Sequence, residues 1–228
     1  MINTLFSHKR YSFMSSDIFE MIPDDVSSFI EENIIPIRLK KGQVLFYEGT
    51  IPSGVYILKK GKTKKYATGL NGKEHIFYLI KENGILGHHN LLCKEKYSHS
   101  AACLTDCLFH LIPKEIFFSI IENNQEILHG LLKNISHEFG VFINNSKILA
   151  QYSVRERTAL SILRLDEFFE EKGCFNLSRK DHSNLVGTSI ESLIRVLHDF
   201  KKEQIIEIEK NTIIIMDTKK IIAAANFR

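Results

Sequence analysis

Residues Asn176–Asp217, NLSRKDHSNLVGTSIESLIRVLHDFKKEQIIEIEKNTIIIMD, decide how the rest of the chain is read. They parse as a short strand, two helices joined by a tight turn, and a β-hairpin. Ser178 is placed to N-cap the first helix, with Asp181 three residues on as a weaker capping-box partner. Gly187 lets the backbone turn left-handed at little cost. Ser189 is placed to cap a second helix that runs to about Glu203. At about 100° per residue, Leu193, Val196, Leu197 and Phe200 share one side of that helix. Glu191, Ile194, Arg195, His198 and Lys202 share the other, so one face anchors in a core and the other is free for a partner. Two β-branched runs, Ile205–Glu209 and Thr212–Met216, flank Lys210-Asn211 and predict the hairpin.

Helix, turn, helix and wing in this order outline a winged helix-turn-helix DNA reader. The segment GTSIESLIRVLHDFKKEQII resembles the recognition helix of the Crp–Fnr superfamily of bacterial transcription regulators. That resemblance implies that Glu191 and Arg195, one turn apart on one face, read bases. Arg can donate a bidentate pair to guanine and Glu can accept from cytosine. The same spacing also suits a surface ion pair worth a few tenths of a kcal/mol; the surrounding pattern favours base contact. Ile194 is a candidate for a thymine methyl. Ser178, Arg179, Lys180, Ser189 and Lys202 are candidate phosphate contacts, which position the protein without specifying sequence. His182 departs from the pattern, because it stands where the first helix ordinarily carries an apolar residue.

Upstream the period changes. Asp17–Glu32, broken by Pro23, predicts two short helices, and residues 1–16 show little periodicity. From Ile34 to Ile112, short β-branched runs alternate with turn signals, which argues for a small barrel or jelly roll. Asn71-Gly72 is a type I′ hairpin signal. This half resembles the cyclic-nucleotide-binding-like β-roll of the same superfamily, through KKGQVLFYEGTIPSGVYILKKGK, NGKEHIFYLIKENGILG and YSHSAAC. In members that bind cyclic nucleotides, a Gly-Glu pair meets the ribose and an Arg-Ser pair meets the phosphate. The aligned positions here are Gly87-His88 and His99-Ser100, so both charged contacts are missing. A buried cyclic phosphate would lack its bidentate counter-charge, which argues against cAMP.

Gly87, His88, His89, His99 and Ser100 remain the effector-pocket candidates, with Cys93, Cys103 and Cys107 nearby. A metal- or haem-dependent sensor is the sharper interpretation of these histidines. The spacing matches no zinc pattern, so scattered core and polar side chains are favoured and no metal ligand or cofactor is assigned. Cys103 and Cys107, four apart in what reads as one β run, are expected on the same face. A cupin-type metalloenzyme would need a convergent histidine and carboxylate set. His88 and His89 are adjacent and would diverge in a strand. No catalytic constellation stands out, and the chain is read as not an enzyme. Lys59–Lys65 is read as a solvated hairpin edge, protected from strand pairing by its lysines.

Pro113 opens a further helical segment. Leu128, Leu131, Ile135, Phe139, Phe142 and Leu149 then recur at steps of three, four and seven, an apolar seam expected to form a homodimer. Ser153–Glu156 is a capping box that starts a fresh helix to about Glu171, closed by Gly173, and Asp217 is placed to cap a last short one.

The expected fold is α+β: a β-roll unit over 1–123, a dimerisation helix and hinge over 124–152, and a winged helix-turn-helix over 153–228. The 228 residues are 44% hydrophobic and 25% charged, with a net charge of +3. That composition is ordinary for soluble domains and permits an anionic partner. The first residues lack the order of a secretory signal and no apolar run approaches the ~20 residues of a span, so a cytoplasmic location is expected, with reduced cysteines. Double-stranded DNA and a second copy are the expected partners. RNA polymerase is a further candidate, no membrane partner is expected, and no effector is named.

Overall fold

The computed structural model describes residues 24–170 and 173–226. They divide into two compact units, one holding 24–68 and 77–140, the other 69–76, 141–170 and 173–226. Helix α1 (Asp24–Asn33) precedes eight strands: β1 (Ile35–Leu39), β2 (Val44–Phe46), β3 (Gly54–Lys60), β4 (Thr63–Thr68), β5 (Glu74–Ile80), β6 (Ile85–Leu86), β7 (Ser100–Cys103) and β8 (Cys107–Pro113). A short helix, α2 (His88–Cys93), interrupts them. The expectations for residues 1–23 lie outside the described residues.

The strands form two four-stranded sheets, ordered β1-β8-β3-β6 and β2-β7-β4-β5. Their recorded pairings are antiparallel, as short runs joined by turns demand. Val55, Leu58, Phe109 and Ile112 are fully buried, and α3 (Lys114–Asn123) packs Phe117 and Ile120 into the cluster that holds Val55 and Ile112. Burial of each such side chain stabilises the fold by about 1.5–3 kcal/mol before entropy is counted.

Three local expectations are corrected. Asn71-Gly72 is not a two-residue type I′ turn: β4 and β5 are linked by residues 69–73, closed by Gly69 N donating to Lys73 O at 2.9 Å. Of that dipeptide only Gly72 is left-handed (φ 75°), and a type I′ turn needs two such residues. Cys103 and Cys107 are not in one run, because Cys103 ends β7 in one sheet and Cys107 begins β8 in the other. Gly173 does not close the helix before it. Glu170 takes the left-handed cap (φ 59°), and the Gly173 amide donates to Asp166 Oδ1 at 2.7 Å.

The long helix α4 (Gln125–Gln151) carries two apolar stripes. Its buried side includes Ile127, Leu131, Val141 and Ile148; its exposed side includes Leu128, Leu132, Phe139, Phe142, Ile143 and Leu149.

The second unit is built on α5 (Val154–Phe169), which is started by a complete Ser153–Glu156 capping box. Ile162, Leu163 and Leu165 are fully buried, so apolar contact nearly all round makes this the unit's central helix. Strand β9 (Cys174–Asn176) and helices α6 (Arg179–Val186), α7 (Ile190–Lys202) and α8 (Thr218–Ala224) pack on it, and strands β10 (Ile206–Glu209) and β11 (Thr212–Ile215) lie between α7 and α8 in the chain. The three strands pair in the order β10-β11-β9. Asp217 caps α8 by accepting from the Lys220 amide.

Candidate nucleic-acid interface

Local chemistry sets the angle between α6 and α7. Ser178 accepts from the Asp181 amide at 3.0 Å, and Ser189 from the Ser192 amide at 3.1 Å, so each hydroxyl satisfies a donor that the helix start would otherwise orphan. Gly187 ends α6 with φ 70°, a conformation costly for a side chain with a Cβ. Leu193, Leu197 and Phe200 then anchor α7 in the core. Arg155 tethers its C-terminal end, with the guanidinium 4.5 Å over the Phe200 ring and bonded to Glu203 at 2.7 Å.

The opposite face of α7 is left to solvent. Glu191, Ile194 and Arg195 are all exposed, together with His198 and Lys202. The Glu191 carboxylate is held below the usual range by its own backbone N–H and by the Ser189 hydroxyl. It is therefore charged and available to accept from a base edge. Ser178, Lys180 and Ser189 are exposed around the same helix starts. Arg179 is half-buried and has a structural task. Its guanidinium donates to the carbonyls of Asn211 and Lys210 at 3.2 and 3.4 Å, fixing the wing turn, where Lys210 is left-handed (φ 54°). Two of its five donors are thus committed within the protein, beside its candidate role as a phosphate contact.

His182 is fully buried and bonded through Nε2, while its Nδ1 has no partner among the described residues. Ser161 donates its hydroxyl to Thr158 O at 2.8 Å, so the 2.7 Å contact between Ser161 Oγ and His182 Nε2 has the imidazole N–H as donor. Burial, with Arg179 adding to it, pushes the imidazole down to about 3.

The β-roll unit holds a second polar site, inside. His88 is fully buried at the start of α2, and His99 is nearly so, with ring contacts to Phe46 and Phe77. His89 is exposed and Gly87 is the left-handed cap of α2 (φ 84°), so neither adds a side chain to this interior. The two histidines lie on a helix and diverge there, not in a strand. Ser100 is buried but committed, accepting from the Glu48 amide at 2.9 Å.

Sequence reasoning missed the centre of this site. Lys65 of β4 bonds both oxygens of Glu138 on α4, at 3.0 and 3.1 Å, and His88 Nε2 lies 3.9 Å from the same carboxylate. Lys65 is 3% exposed, which corrects its reading as part of a solvated edge. Burial raises the Glu138 carboxyl, but Lys65 and then His88 pull harder, so the net effect is a value below the ordinary one. Burial pushes His88 down to about 4 and His99 to about 3, and the Lys65 charge adds to both effects. Asn134, one turn before Glu138, is fully buried with both amide atoms unpartnered. The available signal was the inward stripe of α4: Asn134 and Glu138 interrupt a run defined by Leu131 and Val141. Among the described residues, no three His, Cys, Asp or Glu side chains converge as a metal site.

The expected dimer seam is redrawn. Leu131 is 1% exposed and Ile135 is half-buried against the β-roll core. Leu128, Phe139, Phe142 and Leu149 stay outward, joined by Leu132 and Ile143. No described helix is long and apolar enough to cross a membrane.

Comparison with known proteins agrees with this geometry. A cyclic nucleotide-binding domain model matches residues 36–124, and a Crp-like helix-turn-helix model matches 156–224. The chain is similar to the cyclic AMP receptor protein of Thermus thermophilus, 23% identical over 85% of this chain and 88% of that one. It is also similar to the HTH-type transcriptional regulator ArcR of Staphylococcus haemolyticus, 25% identical over 85% and 88%. Among solved structures, a Crp/Fnr-family regulator from Eubacterium rectale shares the fold at TM-score 0.78 and 17% identity, over 93% of this chain and 99% of that one. The c-di-GMP-responsive regulator CLP of Xanthomonas campestris gives 0.78 at 16%, over 86% and 100%. With its β-roll, long helix and winged reader, the chain belongs to the Crp–Fnr superfamily of DNA-binding transcription regulators.

Proposed function

We propose that this regulator acts as a homodimer on a palindromic DNA site and does so without cAMP. The carrying observation is the solvent face of α7, where Glu191, Ile194 and Arg195 stand together on a helix whose other side is locked in the core. Arg195 pairs with a guanine and Glu191 with a cytosine, while Ser178, Lys180, Ser189 and Lys202 hold phosphates. The exposed seam of α4 supports pairing of two copies. Leu132, Phe139, Phe142 and Ile143 are each more than half exposed on a helix about 40 Å long, which a lone copy would leave in water. Two-fold symmetry then matches half-sites about one helical turn apart. The protein works in the cytoplasm, where its DNA is, and RNA polymerase is its further partner.

Loss of cAMP control rests on the β-roll interior. His88 and His99 stand where family members that bind cyclic nucleotides carry a Glu and an Arg, and both imidazoles are neutral at pH 7. The buried Lys65 cation is already neutralised by Glu138. The test is selection of DNA from a random pool without added ligand, then a salt-controlled titration with and without cAMP. A palindrome bound equally well in both supports the proposal. Sequence-blind binding, or a gain with cAMP, refutes it.

A further inference from the structure

Cys103 and Cys107 end one strand and begin the next, so a loop of only three residues separates them. Both backbones are held by the sheets. Cys103 exchanges bonds with the β1–β2 turn, its amide donating to Gln43 O at 2.9 Å and its carbonyl accepting from Gly42 N at 2.8 Å. Cys107 is the register partner of Leu39. Thr63 links the two: it is the register partner of Cys103, and its hydroxyl lies 3.7 Å from Cys107 Sγ. Cys107 Sγ also lies 3.4 Å from Lys62 O and 3.3 Å from Thr105 O. Gly61 lies beside them with φ 103°, and a Cβ there would come within 2.8 Å of Cys107 Sγ, so the bare backbone leaves the sulfur its space. Both cysteines are buried, at 2% and 5% exposure, and in the loop that joins them Asp106 is exposed and Thr105 half-buried.

We propose that Cys103 and Cys107 are a peroxide-responsive dithiol that closes to a reversible disulfide across this loop. Disulfides form only where backbone geometry brings the sulfurs together, and here a loop of three residues and the shared neighbour Thr63 gather the two cysteines around one side chain. Within the pair Cys107 is the more acidic thiol, held below the ordinary thiol range by Cys103 and then by the Thr63 hydroxyl beside it. Its thiolate is the nucleophile. It attacks one peroxide oxygen, the O–O bond breaks, and the departing hydroxide takes up the released proton as water. Cys107 is left as a sulfenic acid. Cys103 then attacks that sulfur; the S–S bond forms as the S–O bond breaks, and the leaving hydroxide takes the Cys103 proton as a second water. Two thiols lose two electrons and one peroxide becomes two waters. In a reducing compartment such a bond is transient, as signalling requires.

The test uses the full chain with Cys93→Ser and Cys174→Ser, so that the pair supplies all the thiols. After hydrogen peroxide, thiol titration should fall to zero, and the tryptic peptide 97–114, which contains both cysteines, should lose the mass of two hydrogens. Dithiothreitol should restore both. Cys103→Ala in this background should stop at a dimedone-reactive sulfenic acid on Cys107. Thiols that stay titratable, or a peptide that gains oxygen while the second cysteine remains reduced, would overturn the proposal. Because the first readout leaves the buried pair unmutated, a misfolded Cys103→Ala variant does not rescue or sink it.

Discussion

Replacing Lys65 by methionine tests whether the interior of the β-roll is electrostatically closed. The change removes a cation whose side chain is 4% exposed and leaves the Glu138 carboxylate, 19% exposed, without its partner. Removing one member of a buried pair typically costs about 3–5 kcal/mol, because the remaining charge is stranded in a poorly polarisable site. Glu138 keeps some access to water, so the expectation is the lower end, about 3 kcal/mol. With a urea dependence of about 2 kcal/mol per molar, the midpoint of the β-roll transition should fall by about 1.5 M. The pH dependence adds a second check. In the wild type the Glu138 value is lowered, so its contribution is present above the ordinary carboxylate pKa and lost as pH falls through the lowered one. In Lys65→Met the burial effect stands alone and raises the value. Protonation then relieves the variant, and its deficit should shrink between pH 7 and pH 5. The double variant Lys65→Met/Glu138→Leu should be more stable than Lys65→Met alone. A single variant within about 0.5 kcal/mol of wild type, or a double variant whose loss is the sum of the two singles, would refute the reasoning.

Three further outcomes are expected. Arg195→Ala should lose about 1–3 kcal/mol of discrimination at one guanine in each half-site; equal weakening on every sequence, measured by competition titration, would instead make Arg195 a phosphate contact. Phe139→Asp puts a charge on the exposed seam of α4 and should give a monomer in sedimentation velocity at micromolar concentration, with unchanged helix content. Acid should destabilise the fold through His88, His99 and His182. Their folded values lie near 4, 3 and 3, below the unfolded value of about 6.5, so the stability they contribute is full above that pH and is lost as the pH falls from there. Each unit of depression is worth about 1.4 kcal/mol. His182→Leu should flatten the decline of the melting temperature between pH 7 and pH 5, and an unchanged slope would argue against it.

The reader was legible in the chain because its signals are local. Ser178, Ser189 and Gly187 act on backbone within three residues, and Leu193, Leu197 and Phe200 disclose their shared face by spacing alone. The same holds for the Ser153 box and for the alternation that marks the β-roll. Caps, periodicity and turn chemistry depend on neighbours in sequence, and so sequence by itself determined the order of the reader's elements and the residues of its exposed face, while α2 among the strands went unread. The partners of the interior depend on contacts that no spacing encodes. Lys65 and Glu138 are 73 residues apart, and a lysine in a basic run is ordinarily a surface residue until a fold buries it. Leu131 and Leu132 are indistinguishable by hydropathy, yet one is buried and the other half exposed, because only the β-roll packed against α4 chooses between adjacent faces. Arg179 reads in sequence only as a candidate phosphate contact, and the fold alone shows its guanidinium also holding the wing turn. Tertiary structure decided these points for one physical reason: burial and pairing of a charge are set by which distant surfaces the chain brings together, and only the folded chain brings them there.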